Sequence, residues 1–188
     1  MASVVISGDT SGSVTLSAPT VAGSSTQTLV AVTDTLAPIV RGTTVASTSG
    51  TSIDFTGIPS WVKKITIMMS GISYASTVTP IVQIGSGTVT TSGYLGASWV
   101  GAGTSTNYST GFIISQAGTL AGDVLHAVGT LYNMGSNRWM WGVTGGYQTT
   151  YIAVGGGSVT IGGTLDIVRI TSATAATFDA GSINIMYE

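Results

Sequence analysis

Residues 50–71, GTSIDFTGIPSWVKKITIMMSG, contain the clearest structural pattern in the chain. Ile53 and Phe55 alternate with polar residues and predict a first β-strand, which the Gly57-Ile58-Pro59 turn ends. Ile65, Ile67 and Met69 then recur at every second position over 63–70. Successive side chains in a strand point to opposite faces, so these three residues are expected to share one buried face.

Short runs with apolar residues at every second position continue through the rest of the chain. No long window has apolar residues at helical spacing. Thr, Val, Ile, Ser and Gly dominate, which favours strands joined by turns. About nine strands are therefore predicted, and we expect an all-β, jelly-roll-like β-sandwich preceded by an extended N-terminal arm. Beyond 53–55 and 63–70, the predicted strands are 80–84, 111–115, 124–132, 138–143, 151–154, 158–161, 165–171 and 182–187.

Residues 1–46 differ from the remainder, 47–188, which is expected to form the β-sandwich head. The first segment is rich in Ser, Thr and Ala, and it carries too little apolar surface to offset the entropy cost of ordering. It is either a disordered leader or an extended arm that becomes ordered against neighbouring subunits.

The composition limits the function classes. Charged residues make up 6% of the chain, against about 25% in typical soluble domains. Either the surface is neutral and rich in hydroxyl groups, or much of it is buried between identical copies. With a net charge of −2 and five scattered Lys or Arg, nucleic-acid binding is not expected. The absence of cysteine excludes disulfides and thiolate chemistry.

No membrane insertion or export signal is expected either. The chain lacks an apolar run of about 18 residues, the length of a membrane helix. Residues 1–10 lack the basic start of a signal peptide.

Three stretches resemble structural proteins of tailed bacteriophages, namely fibre and other virion proteins. Residues 7–32, SGDTSGSVTLSAPTVAGSSTQTLVAV, are similar to a leader of that family. Residues 50–71 resemble the opening of its C-terminal β domain. Residues 164–188, TLDIVRITSATAATFDAGSINIMYE, resemble the end of that domain, where FDAGSIN is followed by a final Tyr-Glu.

The resemblance implies a virion protein that is made in the host bacterial cytoplasm, assembles as a homotrimer and acts near the host-contact surface. The expected role is a short fibre or attachment component. The alternative is a purely architectural capsid-decoration, tail or baseplate adaptor protein. The arm is expected to contact other virion proteins through four apolar residues: Val14, Leu16, Leu29 and Val30.

No catalytic, cofactor-binding or metal-binding residues are predicted. His126 is the only histidine, and Asp123, three positions before it, would face the other side of a strand. A polysaccharide depolymerase would need two carboxylates flanking the bond, and the seven acidic residues are scattered. Gly155–Gly163 is followed by a β-branched strand rather than a helix, which favours a glycine hairpin over a phosphate-binding loop.

Aromatic residues are concentrated between Gly93 and Tyr151. Trp139 and Trp141 share one face of a predicted strand and are expected to point inward or into a subunit interface. Aromatic rings stack on sugars, so aromatic residues in loops are the candidates for contact with a host-surface glycan. These are Tyr94, Trp99, Tyr108 and Tyr147.

Overall fold

The computed structural model describes residues 3–7, 13–17, 38–100, 109–115, 121–147 and 151–188. The chain divides into two compact units, Met1–Leu36 and Ala37–Glu188. In the first unit the described residues form an antiparallel hairpin of β1 (Ser3–Ser7) and β2 (Ser13–Ser17), with Ser3 opposite Ser17.

The described part of the second unit consists of strands and their connections. The strands are β3 (Val40–Arg41), β4 (Val45–Ala46), β5 (Ile53–Thr56), β6 (Lys64–Tyr74), β7 (Pro80–Ser86), β8 (Thr88–Val89), β9 (Leu95–Val100), β10 (Phe112–Ile113), β11 (Leu125–Gly135), β12 (Arg138–Tyr147), β13 (Tyr151–Thr160), β14 (Ile167–Ser172) and β15 (Phe178–Tyr187). Within the described ranges, no helix has the length and apolar character needed to cross a membrane.

These strands form two sheets, and every pairing is antiparallel. The large sheet has the order β3-β15-β6-β11-β12-β13-β9, with β4 also paired to β15. The small sheet has the order β10-β7-β14-β5, with β8 paired to β7. The all-β class is therefore confirmed, and the two sheets are consistent with a β-sandwich. The jelly-roll connection pattern stays a prediction.

One hydrophobic core joins the two sheets. Ile53 and Phe55 of β5 belong to it, as do Ile65, Ile67 and Met69 of β6. Strict alternation places these five side chains on the buried face of their strands, as the sequence predicts. Burial of large aliphatic and aromatic side chains, each contributing about 1.5–3 kcal/mol, is the main source of stability for such a core.

The second unit begins ten residues before the boundary expected at 46/47. Val40 and Arg41 pair with Tyr187 and Met186 of the last strand. Val45 pairs with Ile183 of the same strand and packs on the core. Two short strands from the predicted arm therefore belong to the large sheet.

The glycine hairpin predicted within 155–163 is wrong. Gly155, Gly156 and Gly157 continue through the middle of β13, which pairs with β12 on one side and β9 on the other. Glycine has a low strand propensity, but the hydrogen bonds to the two neighbouring strands hold this segment extended. A Cβ atom on Gly157 would lie 2.5 Å from the Leu95 carbonyl oxygen, so the close strand approach here requires glycine.

Candidate interaction surface

The face of the large sheet that points away from the core carries many apolar side chains. An antiparallel sheet commonly has one buried and one polar, solvated face. Here the second face is largely apolar, and we call it the outer face. Its exposed large apolar residues are Leu95, Trp99, Val128, Tyr132, Met140, Ile152 and Val154.

Strand register arranges the outer face in three rows, each of which crosses β6, β11, β12, β13 and β9 in that order. The valine row is Met68, Val128, Thr144, Val154 and Trp99. The glycine row is Thr66, Thr130, Gly142, Gly156 and Ala97. The tyrosine row is Lys64, Tyr132, Met140, Ser158 and Leu95. Small residues thus form a floor between two rows of larger side chains.

The three rows contain one charged residue, Lys64, at the end of the tyrosine row. Its ammonium group donates a hydrogen bond to the Glu188 carboxylate and lies 5.9 Å from the centre of the Tyr132 ring. The hydrogen bond to Glu188 is the main reason that the pKa of Lys64 is raised. The charge is therefore compensated within the chain, and the other side chains of the three rows are uncharged. Arg41 and Arg138 lie on the same face beyond these rows, and the Arg138 guanidinium donates to the Ser158 hydroxyl group at 3.5 Å.

The small sheet carries charge on its surface. Arg169 of β14 donates two hydrogen bonds of 2.7 Å to the Asp54 carboxylate of β5, a bidentate pair. Beside them, the Gln83 side chain donates to the Thr110 carbonyl oxygen at 2.8 Å. The large sheet is thus the unusual one, because its outer face exposes many large apolar side chains.

The predicted glycan-contact residues do not come together at this surface. Trp99 lies on the valine row with 45% of its surface exposed. Tyr94 and Tyr147 are only 3% and 5% exposed. The prediction that they are available to a ligand is therefore wrong, although Tyr94 does lie in a connection between strands, whereas Tyr147 ends β12. Tyr108 lies outside the described residues.

Tyr94 is held inside the sandwich by its hydroxyl group. The hydroxyl oxygen accepts the Ile84 N–H at 2.8 Å, and its proton is directed at the carbonyl oxygens of Thr90 (3.0 Å) and Ile84 (3.3 Å). The ring packs edge-on against Phe112 at 4.7 Å. Burial raises the pKa of Tyr94 to about 12, although the Ile84 hydrogen bond opposes this shift. The residue links β7 to the segment before β9.

We expect Tyr94→Phe to lower the free energy of unfolding by about 1–3 kcal/mol, because the buried Ile84 N–H loses its acceptor. Denaturant titration would measure this change, with Tyr132→Phe as the control since Tyr132 is exposed on the outer face. Equal stability of the Tyr94 variant and the wild type would contradict the bridging role of the hydroxyl group.

Tyr147 is buried because it occupies an inward position at the end of β12, opposite Leu125. Trp139 and Trp141 precede it on the same strand and are also buried, which confirms the inward alternative for these two residues. The Trp141 indole N–H donates to the Ile113 carbonyl oxygen at 3.3 Å, and its ring stacks on Phe112.

Of the four predicted anchoring residues, two lie among the described residues. Val14 and Leu16 belong to β2, whose pairing with β1 is described. Leu29 and Val30 lie outside the described residues.

His126 lies on β11 and is exposed on the outer face. Its Nδ1 accepts the Gly71 N–H at 3.2 Å, so the proton of the neutral imidazole is on Nε2. The ring borders an open depression of about 270 Å³, and the residues lining it include no carboxylate. The histidine therefore has a structural hydrogen bond and no acidic partner in this depression.

Met68, Val128, Tyr132, Met140 and Val154 were not singled out from the sequence. For Met140 a signal exists in the run Arg138–Val143, RWMWGV, where apolar residues occupy consecutive positions. Consecutive apolar residues in a strand place apolar side chains on both faces. With Trp139 and Trp141 inward, Met140 has to face outward.

Comparisons of the chain with protein-family models, with curated proteins and with solved structures found no match.

Proposed function

We propose that this chain is a structural protein of a bacteriophage particle, a short fibre or attachment component whose β-sandwich head contacts the host surface. The observation that carries the proposal is the location of the two stretches that resemble the virion-protein domain. They are far apart in sequence, yet they pair with each other in both sheets.

The pairing is direct. Residues 50–71 include β5 and most of β6, and residues 164–188 include β14 and β15. In the small sheet β5 pairs with β14, with Phe55 opposite Val168. In the large sheet β6 pairs with β15, with Ile67 opposite Ile185. The resemblance therefore falls on strands that are direct neighbours in both sheets rather than on unconnected pieces, which supports a common framework.

The segment between these stretches supplies the surface that would differ from one attachment protein to another. It forms β9, β11, β12 and β13 and extends the large sheet away from β6. It also provides most of the apolar side chains of the outer face. Trp99 lies on β9, the edge strand, where an exposed indole ring can stack on a sugar.

The role that we propose is non-enzymatic. Three of the acidic residues have structural partners. Asp54 binds the Arg169 guanidinium, Asp166 accepts the Gly87 N–H at 2.7 Å, and Glu188 accepts from the Lys64 ammonium group. Within the described residues, no group of three or more His, Asp or Glu is arranged to hold a metal ion. The structural roles of these carboxylates support attachment rather than hydrolysis of a polysaccharide, which needs a pair of carboxylates flanking the bond.

Trp99→Ala is expected to weaken binding of the purified protein to host cells or envelope glycans by about tenfold, the loss of about 1.4 kcal/mol of stacking and burial. Leu95→Ala is the matched control, because Leu95 is exposed on the same face of the same strand but has no aromatic ring. Folded wild-type protein that binds no host material would exclude the attachment role.

The second candidate is an architectural adaptor or decoration protein, favoured by the exposed apolar residues of the outer face. It predicts ordered copies on the particle and no affinity for host material. An image of the particle that locates the protein distinguishes the two roles, and absence of the protein from purified virions would exclude both.

A further inference from the structure

A β-bulge interrupts the pairing of β6 with β11. The register shifts between Leu125 and Ala127 of β11. As a result, Ser70 and Gly71 of β6 both lie opposite the single residue His126. Gly71 has a φ angle of 66°, in the left-handed region that glycine adopts readily. A bulge of this kind breaks the hydrogen-bond ladder locally and redirects the side chains beside it.

The imidazole ring of His126 supplies the hydrogen-bond acceptor at this bulge. Its Nδ1 accepts the Gly71 N–H at 3.2 Å, so the proton of the neutral ring is on Nε2 and the backbone holds the ring in place. Within the described part of the chain, no group accepts a hydrogen bond from this Nε2–H. The bulge therefore presents an oriented donor to the space beside the ring.

That space is the open depression of about 270 Å³ on the outer face, which we call the histidine depression. Three exposed polar side chains border it, those of Ser70, His126 and Thr144. Met68 and Val128 contribute apolar surface, and its described lining includes no Lys, Arg or carboxylate. Apolar walls with a few placed polar groups are typical of sites for small ligands.

We propose that the histidine depression binds one sugar unit of a neutral glycan. A pyranose ring has an apolar C–H face and hydroxyl groups around its edge. The C–H face fits against Met68 and Val128. The sugar hydroxyl groups accept from the His126 Nε2–H and exchange hydrogen bonds with the two bordering hydroxyl groups. An ionic ligand fits less well, because no lining side chain of opposite charge would compensate the loss of water around the ion.

The inference rests on the proposed attachment function, and it adds the ligand class and a second contact. The valine row leads from the histidine depression to Trp99 through Thr144 and Val154. Val128 on β11 and Trp99 on β9 are three strand spacings apart, about 14 Å. A short oligosaccharide lying across the strands spans this distance. Its one end stacks on the indole ring, and the other receives the hydrogen bonds that fix its orientation.

A peptide fits this surface less well. Peptides that bind β-sheets commonly add a strand at a free edge, where main-chain groups lack partners. The histidine depression lies over β6, β11 and β12, which are interior strands with a neighbour on each side. Recognition there depends on side chains, as the hydroxyl groups of a sugar require.

Binding of a panel of neutral and acidic oligosaccharides to the purified full-length protein tests the inference. His126 is the only histidine of the chain, so its ring signals in NMR spectra report on this depression alone. We expect neutral oligosaccharides of the panel to shift these signals. If the protein binds host cells and no saccharide moves the His126 signals, the inference is wrong.

His126→Asn and Thr144→Val separate ligand binding from stability. An asparagine carbonyl can still accept the Gly71 N–H, but the Nε2–H donor is lost, and valine keeps the shape of threonine without its hydroxyl group. Each variant should raise the dissociation constant for the oligosaccharide about fivefold, the loss of one hydrogen bond, with an unchanged unfolding midpoint. Thr160→Val is the matched control, because Thr160 is exposed on β13 outside the depression. Its affinity should equal that of the wild type.

The outcomes distinguish this inference from the attachment role. If Trp99→Ala weakens binding to host cells and neither depression variant does, attachment stands and the depression has no part in it. If binding to host cells survives periodate, which cleaves sugar diols, and is abolished by protease treatment of the cells, the ligand is a protein and the sugar assignment is overturned. Wild-type protein that binds no host material excludes attachment, and the oligosaccharide panel then decides on the depression by itself.

Discussion

Gly129→Ala is expected to lower the free energy of unfolding by about 3 kcal/mol or more, the upper range for an overpacked core. The added Cβ atom would lie 2.0 Å from Cη2 of the Trp141 ring. That ring cannot move aside easily, because it stacks on Phe112 and its N–H is bonded to the Ile113 carbonyl oxygen. Denaturant titration measures the loss.

The control for this variant is Gly162→Ala. Gly162 is exposed, its φ angle is outside the left-handed region, and an added Cβ atom would meet nothing within 4 Å. Its stability should remain within about 0.5 kcal/mol of the wild type. If both variants unfold alike, the packing of Trp141 over Gly129 does not contribute to stability as the structure implies.

Removal of residues 1–46 is expected to destabilise the Ala37–Glu188 unit by about 4 kcal/mol more than removal of residues 1–36 does. The longer deletion removes β3 and β4, the Gly42 N–H bond to the Ile185 carbonyl oxygen at 2.8 Å, and Val45 from the core edge. Each lost hydrogen bond contributes about 0.5–1.5 kcal/mol and the valine about 1.5 kcal/mol.

Thermal unfolding of the two truncated proteins, compared with the full chain, tests this expectation. Exposure of the β15 edge should also make the shorter protein more prone to aggregate. Identical midpoints for both deletions would contradict the assignment of residues 40–46 to the large sheet and would favour the boundary at 46/47.

The alternation of apolar and polar residues predicted the direction of side chains correctly wherever one face of a strand is buried. Ile65, Ile67 and Met69, and later Trp139 and Trp141, were placed correctly because the side-chain period of a strand is two. The same rule could have identified Met140 as an outward residue. It does not reveal whether an outward apolar residue meets solvent or another chain.

Non-local pairing explains the failures. Tyr94 looks like a loop aromatic in the sequence, and it is buried because the backbone of Ile84 and Thr90 offers partners to its hydroxyl group. β9, LGASWV, has weak strand propensity and forms as the partner of β13. The glycines of β13 are likewise extended because strands flank them on both sides.

The amino-acid order, with its period of two, its many turn residues and its low charge, is enough to specify an all-β chain with most of its inward residues. Which strands are neighbours was decided only by the tertiary structure. The same arrangement decided the burial of Tyr94 and Tyr147 and the three rows of the outer face. The physical reason is that alternation is a property of neighbours in sequence, whereas each row joins residues from five strands whose register is set by hydrogen bonds between distant segments.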